Sequence, residues 1–284
     1  MKKITSISLA IVLMAGLFLG CKKSDDQVAP ILPPAGSMSI DFSNFTGTQK
    51  SASIESQVYG VAAVNKNNLF IASSIANAWN LKLGINLVMP VSSFKLAVKS
   101  TPTFLGENKW EWKYDFDVAG VTYKARLAGL VGSSDVKWEM YIGREGVMNA
   151  FPEVKWFEGS SAMDGKSGHW TLNHSKEFQE PMLQIDWEAA GTDIGKIKYT
   201  YMRAIKDDRT ADLFKTSFIE YGLTTNALNA YYNVHQNTGV LDDFNDVNIE
   251  WNTTTYNGHI KSNHNFSDIL WHCWNSTGDD VDCN

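Results

Sequence analysis

The sequence predicts a mainly β protein, a large antiparallel meander that forms a strongly curved sheet or barrel packed around an N-terminal helical segment. Three observations carry this. From Trp110 onward, apolar and polar residues alternate with period two in one stretch after another, which is the pattern of strands with one buried face. The breaks between those stretches hold Gly, Asn, Asp and Ser with no helical pattern among them, so the strands follow one another as a meander and not as βαβ units. One apolar segment, about residues 65–98, has the recurrence of a helix. Helix and sheet each present an apolar surface, and each can bury the other's. A sheet this long must curl, close or stack.

At the N-terminus, Lys2 and Lys3 precede an apolar run from Ile7 to Leu19. The run is short for a membrane span and suits the core of a signal peptide over residues 1–20. The stretch Leu17-Phe18-Leu19-Gly20-Cys21, with a small residue just before the cysteine, resembles the lipobox of bacterial lipoproteins. That resemblance implies that Cys21 is the first mature residue, is acylated and anchors the protein, so that its first partner is the membrane. Lys22 in place of Asp implies the outer membrane. Lys22-Lys23-Ser24-Asp25-Asp26 resembles the surface-export tag of Bacteroidota lipoproteins, so the domain faces either the periplasm or the cell surface. Residues 21–36 hold Pro30, Pro33 and Pro34 and read as a flexible tether. One β-rich domain, 37–284, follows.

Met38, Ile40 and Phe42 alternate with polar residues and open that domain as a short strand. Residues 46–58 read as a loop. In the helical segment Ile71, Ile75 and Trp79 recur every fourth residue, and Asn67 or Asn68 can cap the start. Leu81 to Met89 also alternates like a strand but reads as helix continuing. Pro90 marks a break, followed by a shorter helix with Val91, Phe94 and Val98 on one face. The segment is apolar nearly all round, which predicts full burial.

The clearest strands form a hairpin. Trp110, Trp112, Tyr114, Phe116 and Val118 alternate with charged residues. Ala119-Gly120 turns the chain, and Val121, Tyr123, Ala125 and Leu127 alternate on the return. Further strands lie at Val136 to Ile142, from Trp170 to His174 after a Gly/Ser-rich loop, and at Leu183 to Trp187. Ile197 to Tyr201, Phe214 to Tyr221, Leu228 to His235, Val247 to Thr253 and Ile269 to Trp274 complete the series.

The chemistry-bearing residues are few. Cys273 and Cys283 lie close in sequence with Gly278 between them. An exported protein meets an oxidising compartment, so a disulfide that stabilises by about 2–3 kcal/mol is the favoured reading. A metal site with His272 lacks zinc-ligand spacing. His169 and His174, like His259 and His264, stand at odd spacing and would face opposite sides of a straight strand, so no metal site is assigned. The acids Asp242, Asp243 and Asp246, and Asp279, Asp280 and Asp282, lie in turns. The first cluster lacks the glycine and glutamate of an EF-hand, and both read as solvated turns.

Gly165-Lys166-Ser167 precedes a strand and is not a phosphate loop. No Gly-x-Ser-x-Gly elbow occurs, and no cofactor is implied. The formal charge of −6 without a basic stripe argues against nucleic acid as a partner. With ten Trp in the chain, the remaining candidates are rings. Trp138, Trp170, Trp187, Trp251 and Trp271 are taken as candidate ligand-facing aromatics, against the plainer reading that each fills the core.

The stretches Trp138-Glu139-Met140-Tyr141-Ile142, Leu183-Gln184-Ile185-Asp186-Trp187, Trp271-His272-Cys273-Trp274 and Asp280-Val281-Asp282-Cys283 resemble a family of Bacteroidota lipoproteins. The resemblance implies location and fold and carries no catalytic residues across. The functional expectation is therefore a lipid-anchored envelope protein, a binding or structural module for an apolar or glycan ligand. Its rival is an extracytoplasmic hydrolase using paired carboxylates.

Overall fold

In the computed structural model the described residues are 27–40, 42, 45, 66–146 and 148–283. The lipobox with Cys21 and the loop at 46–58 lie outside them. The sheet begins with β1 (Thr103–Gly106), β2 (Lys109–Val118), β3 (Val121–Val131), β4 (Asp135–Arg144) and β5 (Phe151–Ala162). It continues through β6 (Ser167–Asn173), β7 (Pro181–Ala190), β8 (Asp193–Tyr201), β9 (Phe218–Leu223) and β10 (Ala230–Asn237). It ends with β11 (Phe244–Trp251), β12 (Gly258–Lys261), β13 (His272–Trp274) and β14 (Asp280–Val281). All 14 strands lie in one antiparallel sheet in sequence order, from β1 at one edge to β14 at the other. The sheet is curved but open, so of the two expected forms it takes the curved sheet and not the barrel.

The β2–β3 hairpin falls where the alternation puts it. Val118 pairs with Val121, and Ala119 and Gly120 both have positive φ, as a two-residue type I′ turn requires. By contrast, β5 occupies what reads in the sequence as loop. Its inward positions include Gly159, paired with both Trp138 and Trp170 across the neighbouring strands. A Cβ on Gly159 would come within 2.6 Å of the Trp170 ring, and one on Gly129 within 2.7 Å of Trp138. The rings occupy the space that side chains at those positions would need. An inward face built of glycine beside tryptophan packs densely, and it erases the alternation from which a strand is recognised.

One α-helix, α1 (Asn67–Ala97), lies against the inner face and runs without interruption through Pro90. At 1.5 Å per residue its 31 residues span about 46 Å. The break expected at Pro90 does not occur. Proline removes a single helical hydrogen bond, while Trp79, Leu83, Leu87, Pro90, Phe94 and Ala97 all remain on the buried face. Burial of that continuous stripe outweighs the lost bond.

The expectation of full burial is also corrected. Leu81 and Ile85 are 68% and 71% exposed, because the sheet is open and the outer face of α1 lies in its mouth. Among the described residues no helix is long and apolar enough to cross a membrane.

The helix touches both ends of the sheet, β2 near its C-terminal half and β12 to β14 near its start. The Tyr114 hydroxyl donates to the Ser93 carbonyl at 2.8 Å, and Phe94 packs edge-on against Trp170 at 5.1 Å. Between the two ends, an N-terminal segment fills the inner face. Ala35–Met38 is a 3-10 turn, not the start of a strand. Its Ser37 Oγ accepts from Trp170 Nε1 at 3.1 Å, and the Met38 carbonyl accepts from the Tyr199 hydroxyl at 3.0 Å. Pro33 is already buried and Leu32 packs half-buried against the core, so residues 32–36, read above as tether, pack onto the domain.

Candidate binding groove

Strand alternation sends every second side chain to the outer face, away from α1. Two cross-strand rows there form a groove of about 590 Å³ over β2 to β6. In the first row Glu111, Ala128, Glu139 and Glu158 are successive partners. In the second, Leu130, Lys137, Ser160 and His169 are partners. Ala128 and Ser160 are short and stand between long side chains, so they form the floor and their neighbours the walls. Leu105 on the edge strand β1 and Leu130 add an exposed apolar wall.

The charged groups are held by one another. Arg126 Nε donates to Glu153 at 2.8 Å, its guanidinium lies 4.0 Å over the Tyr141 ring, and Nη1 is 3.9 Å from Glu111. Lys113 also pairs with Glu111, at 2.8 Å. Lys155 Nζ contacts Glu158 at 2.5 Å and Glu139 at 3.4 Å. The hydrogen bond to Glu158 raises the Lys155 pKa above the usual lysine value. Burial, followed by the hydrogen bond to Glu139, raises that of Tyr141.

Two catalytic readings of this face fail on geometry. Glu139 and Glu158 are direct cross-strand partners bridged by one ammonium. A glycosidase pair instead stands across a cleft with room for the sugar between. Ser160, His169 and Asp186 are successive partners on β5, β6 and β7, a serine, histidine and aspartate in one row. Ser160 Oγ, however, faces His169 Nδ1 at 3.3 Å, the nitrogen that a triad reserves for its acid. Both Asp186 oxygens are taken by the Gln184 amide at 2.9 Å. The flanking backbone N–H groups belong to ladder strands and are not gathered into an oxyanion hole.

Of the ligand-facing aromatics named from the sequence, only Trp138 borders the groove, and it does so from beneath. Trp138, Trp170, Trp187 and Trp251 are at most 2% exposed and are core residues, their rings turned inward toward α1 and the N-terminal segment. Trp138 Nε1 donates to Ser161 Oγ at 2.9 Å. Among the described residues the indole N–H groups of Trp187 and Trp251 have no acceptor. Trp271 alone of the five is partly exposed. Its ring is stacked on His259 at 3.7 Å and lies 4.7 Å from Lys261 Nζ, and it stands far across the sheet from the groove.

Cys273 and Cys283 form a disulfide. His272 Nε2 contacts Asp268 at 3.0 Å. Of the acidic turns, Asp246 pairs with His235 at 2.6 Å and Asp279 with Lys66 at 3.6 Å, so each has a structural partner. The sequence reading missed Ala128, Lys137, Ser160 and His169 as a group. Only the register of β3 to β6 brings them together.

Comparison of the chain with protein-family models, with curated proteins and with solved structures finds no match in any of the three.

Proposed function

We propose that this chain is a lipid-anchored cell-envelope binding module whose ligand is a glycan held in the outer-face groove. The observation that carries the reading is the division of the two faces. The inner face is largely occupied by the chain itself, by α1, residues 32–40 and the buried Phe42 and Phe45, and the pocket of about 550 Å³ left beside Ile40, Ile194 and Ile197 has no charged side chain but Asp193. The outer face carries a groove of about 590 Å³, within the range of small-molecule sites. Its hydroxyl, carboxylate and guanidinium groups are fixed on strands beside the apolar Leu105 and Leu130. Polar groups in fixed positions beside an apolar wall suit a sugar ring, which offers hydroxyls at its rim and C–H groups on its faces. The lipobox supports anchoring at Cys21 and, with Lys22, placement in the outer membrane.

The test is native mass spectrometry of the mature chain with Cys21→Ser, offered a panel of neutral and acidic oligosaccharides. A one-to-one sugar adduct that is lost on denaturation is expected, and no adduct from any member of the panel overturns the reading. Membrane fractionation of the wild-type and Cys21→Ser chains tests the anchor separately. The wild type is expected in the membrane fraction and the variant outside it.

A further inference from the structure

We infer that the groove selects an acidic sugar, whose carboxylate or sulfate is received by the row Lys137, Ser160 and His169. This deepens the glycan reading and rests on it. The argument is one of charges already satisfied and charges left over. Glu111 is paired with Lys113 and approached by Arg126. Glu139 and Glu158 share Lys155. Lys109, at the groove's edge, pairs with Glu107 at 3.0 Å. Among the described residues Lys137 is the groove cation with no acidic partner, in a chain whose net charge is −6.

The neighbours of Lys137 match that free charge. On one side Ser160 is its cross-strand partner, and His169 is the partner of Ser160. The Ser160 hydroxyl engages His169 Nδ1, which leaves Nε2 of the exposed imidazole open to solvent. Ammonium, hydroxyl and imidazole thus stand on three successive strands, two strand spacings or about 9–10 Å from end to end, a length suited to one acidic sugar and its neighbour. On the other side Leu130 is paired with Lys137 and places an apolar surface beside the ammonium. An anionic substituent on a sugar ring meets both features at once: its charge at Lys137 and its ring on Leu130. A neutral sugar would leave Lys137 as it is in the free protein and gain nothing from it.

The experiment compares oligogalacturonate with its fully methyl-esterified counterpart of equal length by titration calorimetry. A hyaluronan and a sulfated carrageenan oligosaccharide are included to separate carboxylate position and sulfate. The protein is the mature chain with Cys21→Ser, with and without Lys137→Gln. Lys137 is exposed, so the substitution leaves the fold intact, which a melting curve checks. At least one acidic oligosaccharide is expected to bind about five- to ten-fold tighter than the neutral ester. That preference should weaken with added salt and be lost in Lys137→Gln, while residual binding equals that of the ester. Equal binding of acid and ester, or a preference that survives Lys137→Gln, overturns the inference and leaves the glycan reading standing. Binding of no sugar, acidic or neutral, overturns both.

Discussion

The carboxylate of Asp280 accepts the backbone N–H of Asn68 at 3.0 Å and that of Asn67 at 3.1 Å. The first turn of α1 is thereby capped from the far end of the chain. The helix has no cap of its own, since Lys66 at that position makes no side-chain capping bond and its Nζ donates instead to the Thr277 carbonyl at 2.8 Å. The sequence reading places the cap on Asn67 or Asn68, but the Asn68 amide instead donates to the Cys273 carbonyl at 2.9 Å. Asp280 lies on β14, and its neighbour Val281 pairs with Cys273, which the disulfide ties to Cys283. The start of the helix and the end of the sheet therefore form one interlocked unit.

Replacing Asp280 by Ala leaves the first N–H groups of α1 without a protein acceptor and should cost about 1–2 kcal/mol. Asp280→Asn, which keeps an acceptor oxygen but not the charge, should recover part of the loss. Denaturant unfolding of both variants checks this. An Asp280→Ala chain as stable as the parent would show the cap to be idle.

Opening the disulfide should act through the same contact. Cys273→Ser with Cys283→Ser is expected to lower stability by about 2–3 kcal/mol. Once β14 is released, Asp280→Ala should cost less than in the parent. A double-mutant cycle measures the coupling; strict additivity would mean that the disulfide and the cap act independently.

The glycines that face tryptophan rings set a third expectation. A side chain at Gly129 would overlap the Trp138 ring, so Gly129→Val should overpack the core and destabilise by about 1–3 kcal/mol. Ser160→Ala, on the outer face two strands away, should change stability by less than about 0.5 kcal/mol. Thermal melts of the two variants side by side give the contrast.

Alkaline pH offers a probe of the inner packing. Burial pushes the hydroxyls of Tyr114 and Tyr199 far above the ordinary tyrosine range, and burial with acidic neighbours pushes Tyr201 and Tyr231 up to about 12. Because these folded values are raised, their contribution is fully present below the unfolded value near 10. It is lost as pH rises from there toward the folded values. Ultraviolet titration should show fewer than the chain's ten tyrosines ionising before the protein unfolds. All ten ionising near pH 10 with the fold intact would contradict the packing described for Tyr114 and Tyr199.

The fold was legible wherever inward residues were large. Trp110 to Leu127, Leu183 to Trp187 and Ile197 to Tyr201 alternate visibly because Trp, Ile, Leu and Tyr mark the buried face. In β5 the inward residues Gly159 and Ser161 are small since Trp138 and Trp170 fill their space, and the strand reads as a loop. Pro90 reads as a break because local propensity disfavours it, whereas the buried stripe through Phe94 carries the helix past it. The groove was not legible at all. Ala128, Lys137, Ser160 and His169 are unremarkable on their own strands, and only cross-strand register makes them neighbours. The tryptophans drew notice in the sequence because they are large, and that size is what puts them in the core.

The groove is tested most directly by filling it. Ala128 is one of the two short residues of its floor, outward-facing and clear of the core, so Ala128→Phe should occupy the space that a sugar ring needs while leaving the fold unchanged. Calorimetry with the tightest-binding oligosaccharide is expected to show binding lost or weakened about 100-fold, with the melting temperature held. Undiminished binding to a folded Ala128→Phe chain would contradict the account and place any sugar site elsewhere on the protein.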